Sequence, residues 1–77
     1  MATVRFFAAA EEAVGADRQQ RTEASLGALR ESLIAEHPAL RGLLPRCAVL
    51  VDGARVDDDH PLTDETLVDV LPPFAGG

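Results

Sequence analysis

The stretch Thr66-Leu67-Val68-Asp69-Val70-Leu71-Pro72-Pro73 decides how this chain is built. Its first six residues alternate with the two-residue period of a strand. Val68 and Val70 share one face, while Leu67, Asp69 and Leu71 share the other. Burying an unpaired carboxylate is expensive. Val68 and Val70 are therefore predicted to face a core, with Leu67, Asp69 and Leu71 facing outward. Pro72 and Pro73 end the strand, because neither has an N–H to give to a ladder.

The same period recurs upstream. Thr3 to Ala8 reads as a first strand, with Val4 and Phe6 inward and Arg5 and Phe7 outward. Cys47 to Val51 reads as a buried strand, with Val49 and Val51 inward and Ala48 and Leu50 outward. Between them, Leu26, Leu29 and Leu33 repeat at helical spacing with Ile34 beside them. Ser25 is a good N-cap for this helix, and Pro38 ends it at about His37. Ala9 to Val14 is a helical turn stopped by Gly15. Asp17 to Thr22 is a polar strand pairing with the first. Leu40, Leu43 and Leu44 cover part of the core. Asp52-Gly53 is a turn after which Ala54 to Val56 is predicted to pair back as a short strand. Asp57 to Thr63 is a polar loop anchored by Pro61-Leu62.

The order of elements gives an α+β fold, a mixed sheet with one main helix packed on one face. The other face is left open, carrying Phe7, Leu50, Leu67 and Leu71, with Phe74 beside it. A contiguous apolar patch with an aromatic is the mark of a binding surface. Pro72 and Pro73 project the end of the chain away from the body in polyproline geometry. The six residues from Pro72 to Gly77 form a flexible tail that reaches about 20 Å when extended.

The tail ends in Gly76-Gly77. At average glycine usage such an ending arises by chance in about 0.5% of chains. Without a Cβ, glycine threads channels that exclude any side chain. The terminal carbonyl carbon is unhindered, yet an ionised carboxylate is a poor electrophile. The end of the chain thus reads as a substrate for activation by another protein.

With 77 residues there is room for one domain, spanning residues 1–77, and one small core. Cys47 is the single cysteine, so no disulfide framework helps. That usage, and the absence of a secretory h-region after Met1, place the chain in the cytoplasm. The longest apolar runs are five residues, far short of a membrane span, and no membrane role is expected. The net charge is −6, and all of it falls in residues 56–77, which hold six acids and no Arg. Such an end repels nucleic acid; it is either a solvated loop or a dock for a basic protein surface. All seven basic residues are Arg. An activated C-terminus therefore finds no lysine on its own chain.

No catalytic constellation is present. His37 and His60 read as surface or cap residues, and Cys47 as a buried, inert thiol. Asp57-Asp58-Asp59 lacks the spacing of a calcium loop, no phosphate-binding glycine loop occurs, and no metal site is expected. The chain reads as a non-enzyme.

Four segments together resemble the ubiquitin-like sulfur carriers of the MoaD/ThiS type. VRFFAAAEEAVG resembles their opening strand and short helix, SLGALRESLIAEHP their main helix, and VLVDGARV their hairpin. DHPLTDETLVDVLPPFAGG resembles their acidic loop, last strand and tail. Within the family the chain is most similar to the small subunits of molybdopterin synthase, with Phe74 where Val is common. The resemblance implies a β-grasp fold and a non-catalytic carrier. It implies that a ubiquitin-activating-like adenylyltransferase adenylates Gly77 with ATP, and that a sulfur donor protein then supplies the sulfur of a thiocarboxylate. Ala75 and Gly76 would thread the partner's channel. Phe7, Leu50, Leu67, Leu71, Pro72, Pro73 and Phe74 would dock on the large subunit, in the heterotetramer expected from the family. The sulfur would enter the dithiolene of the molybdenum cofactor. The carrier itself would bind no cofactor, its sulfur held covalently on Gly77. A ubiquitin-like protein modifier, or a carrier for thiamine or cysteine synthesis, would use the same activated tail.

Overall fold

The computed structural model describes residues 1–73. Strand β1 (Ala2–Phe6) leads into a short helix α1 (Ala9–Val14), which ends at Gly15 in the left-handed region. Strand β2 (Arg18–Arg21) returns antiparallel to β1. Helix α2 (Leu26–Glu36) comes next, and two 3₁₀ turns at Pro38–Leu40 and Leu44–Arg46 lead to strand β3 (Ala48–Val51). The last strand is β4 (Leu67–Leu71). The sheet order is β2-β1-β4-β3, with β1 and β4 parallel at its centre and β3 antiparallel to β4.

The inner face obeys the alternation of the sequence. Val4, Phe6, Val49, Val51, Val68 and Val70 are buried against Leu26, Leu29 and Leu33 of α2, with Leu40 and Leu44 closing one end. The Ser25 hydroxyl accepts from the Ala28 N–H at 3.2 Å, as expected of an N-cap. The α2 N-terminus receives further partners from a distant segment. Leu26 N–H donates to the His60 carbonyl at 3.0 Å, and Gly27 N–H donates to the Asp58 carbonyl at 2.8 Å. Pro61 bridges to Ser25, and Leu62 N–H donates to the Ala24 carbonyl. The acidic loop is thus a second cap for α2.

This explains one departure from the sequence reading. Ala54 to Val56 is not a strand; only Ala54 bridges back, to Val51. Asp52 and Gly53 both take positive φ, 50° and 85°, in a two-residue turn closed by reciprocal bonds between Val51 and Ala54. Beyond Ala54 the chain leaves the ladder to bring Asp58 and His60 to the helix. No helix among the described residues is long and apolar enough to cross a membrane.

Candidate functional site

The open face of the sheet is the candidate site, and strand register builds it in three rows. In the first, Gln20, Thr3 and Leu67 lie side by side, and the Gln20 amide donates to the Thr3 hydroxyl at 3.0 Å. In the second, Arg18, Arg5, Asp69 and Leu50 run from β2 across to β3. In the third, Phe7 stands at the end of β1 near Leu71, and Leu71 pairs with Ala48. Leu50, Leu67 and Leu71 are half-buried, and Phe7 is 38% exposed. Pro72 is buried while Pro73 is exposed, so of the two prolines Pro73 offers surface. Phe74, Ala75, Gly76 and Gly77 lie outside the described residues.

Asp69 faces outward as the alternation requires, but it is not alone. Arg5 donates to it through Nε at 2.6 Å and Nη2 at 2.8 Å. This bidentate geometry is the strong form of the contact. Hydrogen bonding to Asp69 raises the Arg5 guanidinium above its ordinary range. The same guanidinium sits 5.6 Å from the centre of the Phe7 ring, within cation–π range. Sequence alternation places Arg5 and Asp69 on one face; only the parallel β1–β4 register sets them opposite each other.

Phe7 is fixed from both sides of its backbone. Its N–H donates to the Val70 carbonyl at 3.2 Å, and its carbonyl accepts from Ala10 at 3.0 Å. Between them Ala8 takes φ 50° and ψ −123°. A side chain at that φ is strained. The turn that holds the aromatic is thus a glycine-type turn made by alanine, a feature that composition and spacing do not reveal.

Other chemistry lies away from this face. Arg30, Ile34, Leu44, Pro45 and Asp58 line a cavity of about 300 Å³ on the helix side. Cys47 is half-buried, and its thiol donates to the Leu43 carbonyl at 3.3 Å. Burial pushes that thiol up, which disfavours the nucleophilic thiolate. Among the described residues no cluster of His, Cys, Asp or Glu could hold a metal ion.

A family model described as the ThiS family matches residues 4–77. The chain belongs to that family. Solved structures agree on the fold. The small archaeal modifier protein 1 from Methanosarcina acetivorans superposes with a TM-score of 0.85 at 21% identity, over 99% of this chain and 95% of that one. The Haloferax volcanii HVO 2177 protein is 33% identical, with a TM-score of 0.77 over 99% of this chain and 85% of that one. A chain from the complex of subunits 1 and 2 of molybdopterin-converting factor from Helicobacter pylori is 27% identical. It aligns with a TM-score of 0.72 over 99% of this chain and 97% of that one. No curated protein matches significantly by sequence. The architecture is the ubiquitin-like β-grasp, shared by ThiS/MoaD-type sulfur carriers and small archaeal modifiers. In the Helicobacter pylori structure, subunit 1 of the molybdopterin-converting factor is in complex with subunit 2.

Proposed function

We propose that this ThiS-family chain is a sulfur carrier for molybdopterin synthesis, docking through its open sheet face on a large subunit. The observation that carries the reading is the placement of β4. It lies at the sheet centre, contributes Leu67 and Leu71 to the apolar face beside Phe7, and runs directly into Pro73. A surface held there leads straight into the segment that ends in Gly76-Gly77. The Helicobacter pylori complex supports a partner of the subunit 2 type.

In this reading the Gly77 carboxylate attacks the α-phosphorus of ATP on a separate adenylating enzyme and releases pyrophosphate. Hydrosulfide released by a donor protein then attacks the acyl carbon, the C–O bond to AMP breaks as the C–S bond forms, and the carrier leaves as a thiocarboxylate. The domain supplies the docking face and the tail; the activating enzyme supplies the chemistry. The test is to incubate the purified chain with the adenylating-enzyme homologue of the same genome, ATP and a sulfur donor, then weigh the intact product. One oxygen at Gly77 is expected to be replaced by sulfur, and an alkylating reagent should label that position selectively. Isopeptide bonds from Gly77 to lysines of other proteins, as the dominant product, would make the chain a modifier instead.

A further inference from the structure

Two arginines of this small domain are treated in opposite ways. Arg21, on the helix side, uses all its donor nitrogens. It reaches Glu23 through Nε at 3.0 Å and Nη2 at 2.7 Å, Glu36 through Nη1 at 2.9 Å and Nη2 at 2.8 Å, and the Gln19 amide oxygen through Nη1 at 3.1 Å. Its side chain is 11% exposed. Arg5 uses only Nε and one Nη2 hydrogen, both on Asp69, and its side chain is 39% exposed. A guanidinium carries five N–H donors. Three of those on Arg5 have no acceptor among the described residues.

Register sharpens the contrast. Arg18 lies directly across from Arg5 on the same face, is exposed, and has no ion pair among the described residues. The middle row of the open face therefore holds two cations against one carboxylate, inside a chain whose net charge is −6. Apolar residues flank the row, with Leu50 at its β3 end and Leu67 and Leu71 on either side of Asp69 along β4. A purely apolar partner would strand the free N–H groups of Arg5 on burial, at the desolvation cost of unmet charged donors. A partner that brings one carboxylate satisfies them and balances the row, as Glu36 does for Arg21.

From this charge balance we infer that the protein surface covering this face carries a carboxylate that seats between Arg5 and Arg18. The Arg5–Asp69 pair then works as a specificity element, discriminating against apolar surfaces that would otherwise fit Phe7 and the leucines. Asp69 is a positioning residue, holding the guanidinium through Nε and Nη2 and leaving Nη1 for a partner. The inference rests on the docking role of the face proposed above.

The experiment measures binding of the purified subunit 2 homologue of the same genome by titration calorimetry at two salt concentrations. The double variant Arg5→Leu/Asp69→Leu removes both partners of the pair together, which can be close to neutral for folding. It is expected to melt within a few degrees of the parent and to bind at least about ten-fold more weakly. Arg18→Gln, which lowers the net charge of the row, should weaken binding in the same direction and flatten the salt dependence. If the leucine pair unfolds the domain, Arg5→Gln/Asp69→Asn keeps the shape and takes its place. Equal or tighter binding by the charge-free variant overturns the carboxylate. Phe7→Asp separates the two ideas. Parent-like binding by that variant removes the docking face and the carboxylate with it. Lost binding by Phe7→Asp beside parent-like binding by the charge-free variant removes the carboxylate alone.

Discussion

Gly27 lies hard against Asp58: a Cβ on Gly27 would stand 3.0 Å from the Asp58 Cβ and 3.1 Å from its carbonyl oxygen. That oxygen is the acceptor for Gly27's own N–H. Arg30 holds the Asp58 side chain at 3.0 Å, so the loop has little room to yield. Helix propensity favours Ala over Gly by about 1 kcal/mol, and the contact opposes it. Gly27→Ala is expected to destabilise the domain by about 1 kcal/mol net, a fall of about 4–8 °C in melting temperature. A rise in melting temperature would show that propensity wins.

Ala8 gives the opposite expectation. Its positive φ is strained for any side chain, at a cost of about 1–3 kcal/mol. Glycine would add about 0.5–1 kcal/mol of lost chain freedom, which is the smaller effect. Ala8→Gly should raise the denaturation midpoint with the m-value unchanged. A lowered midpoint would mean that the turn is not strained.

Val70 and Phe7 test the two faces. Val70 is 1% exposed and Phe7 38%. Val70→Asp places an unpaired carboxylate in the core and should leave the chain unfolded by circular dichroism. Phe7→Asp should remain folded with near-parental melting. The reverse pattern would mean that the sheet faces are inverted.

Arg21 sets an acid limit on stability. It holds Glu36 and Glu23 below the ordinary carboxylate range, in each case chiefly by side-chain hydrogen bonds. A carboxylate whose folded pKa is depressed stabilises above its unfolded value, about 4.3 for Glu, and loses that contribution as pH falls through the folded value. The parent should therefore lose melting temperature steeply below about pH 4.3. Arg21→Met should be less stable at neutral pH and show a shallower acid slope. Parallel pH profiles for the two proteins would show that the cluster contributes nothing through protonation.

Much of the fold was legible because the chain states it locally. Asp69 between two valines fixes which face of β4 is buried, and Ser25 with Leu26, Leu29 and Leu33 fixes where α2 starts and which side it buries. The apolar members of the candidate face come from the same alternation. What was not legible depends on contacts distant in sequence. The strand expected at Ala54 to Val56 gives way to capping of Leu26 and Gly27 by His60 and Asp58, residues more than thirty positions downstream. The Arg5–Asp69 pair spans 64 positions and needs the parallel register. The Ala8 turn uses a residue that normally avoids such angles, so its identity misleads.

The pairing of β1 with β4 has a temporal side. The first strand made finds its central neighbour only when the last one exists, and parallel pairing over such a separation forms late. A chain cut short before Leu71 cannot assemble the face that Phe7 and Leu71 share. The open face of the sheet therefore comes into being only after the segment bearing β4 has been made.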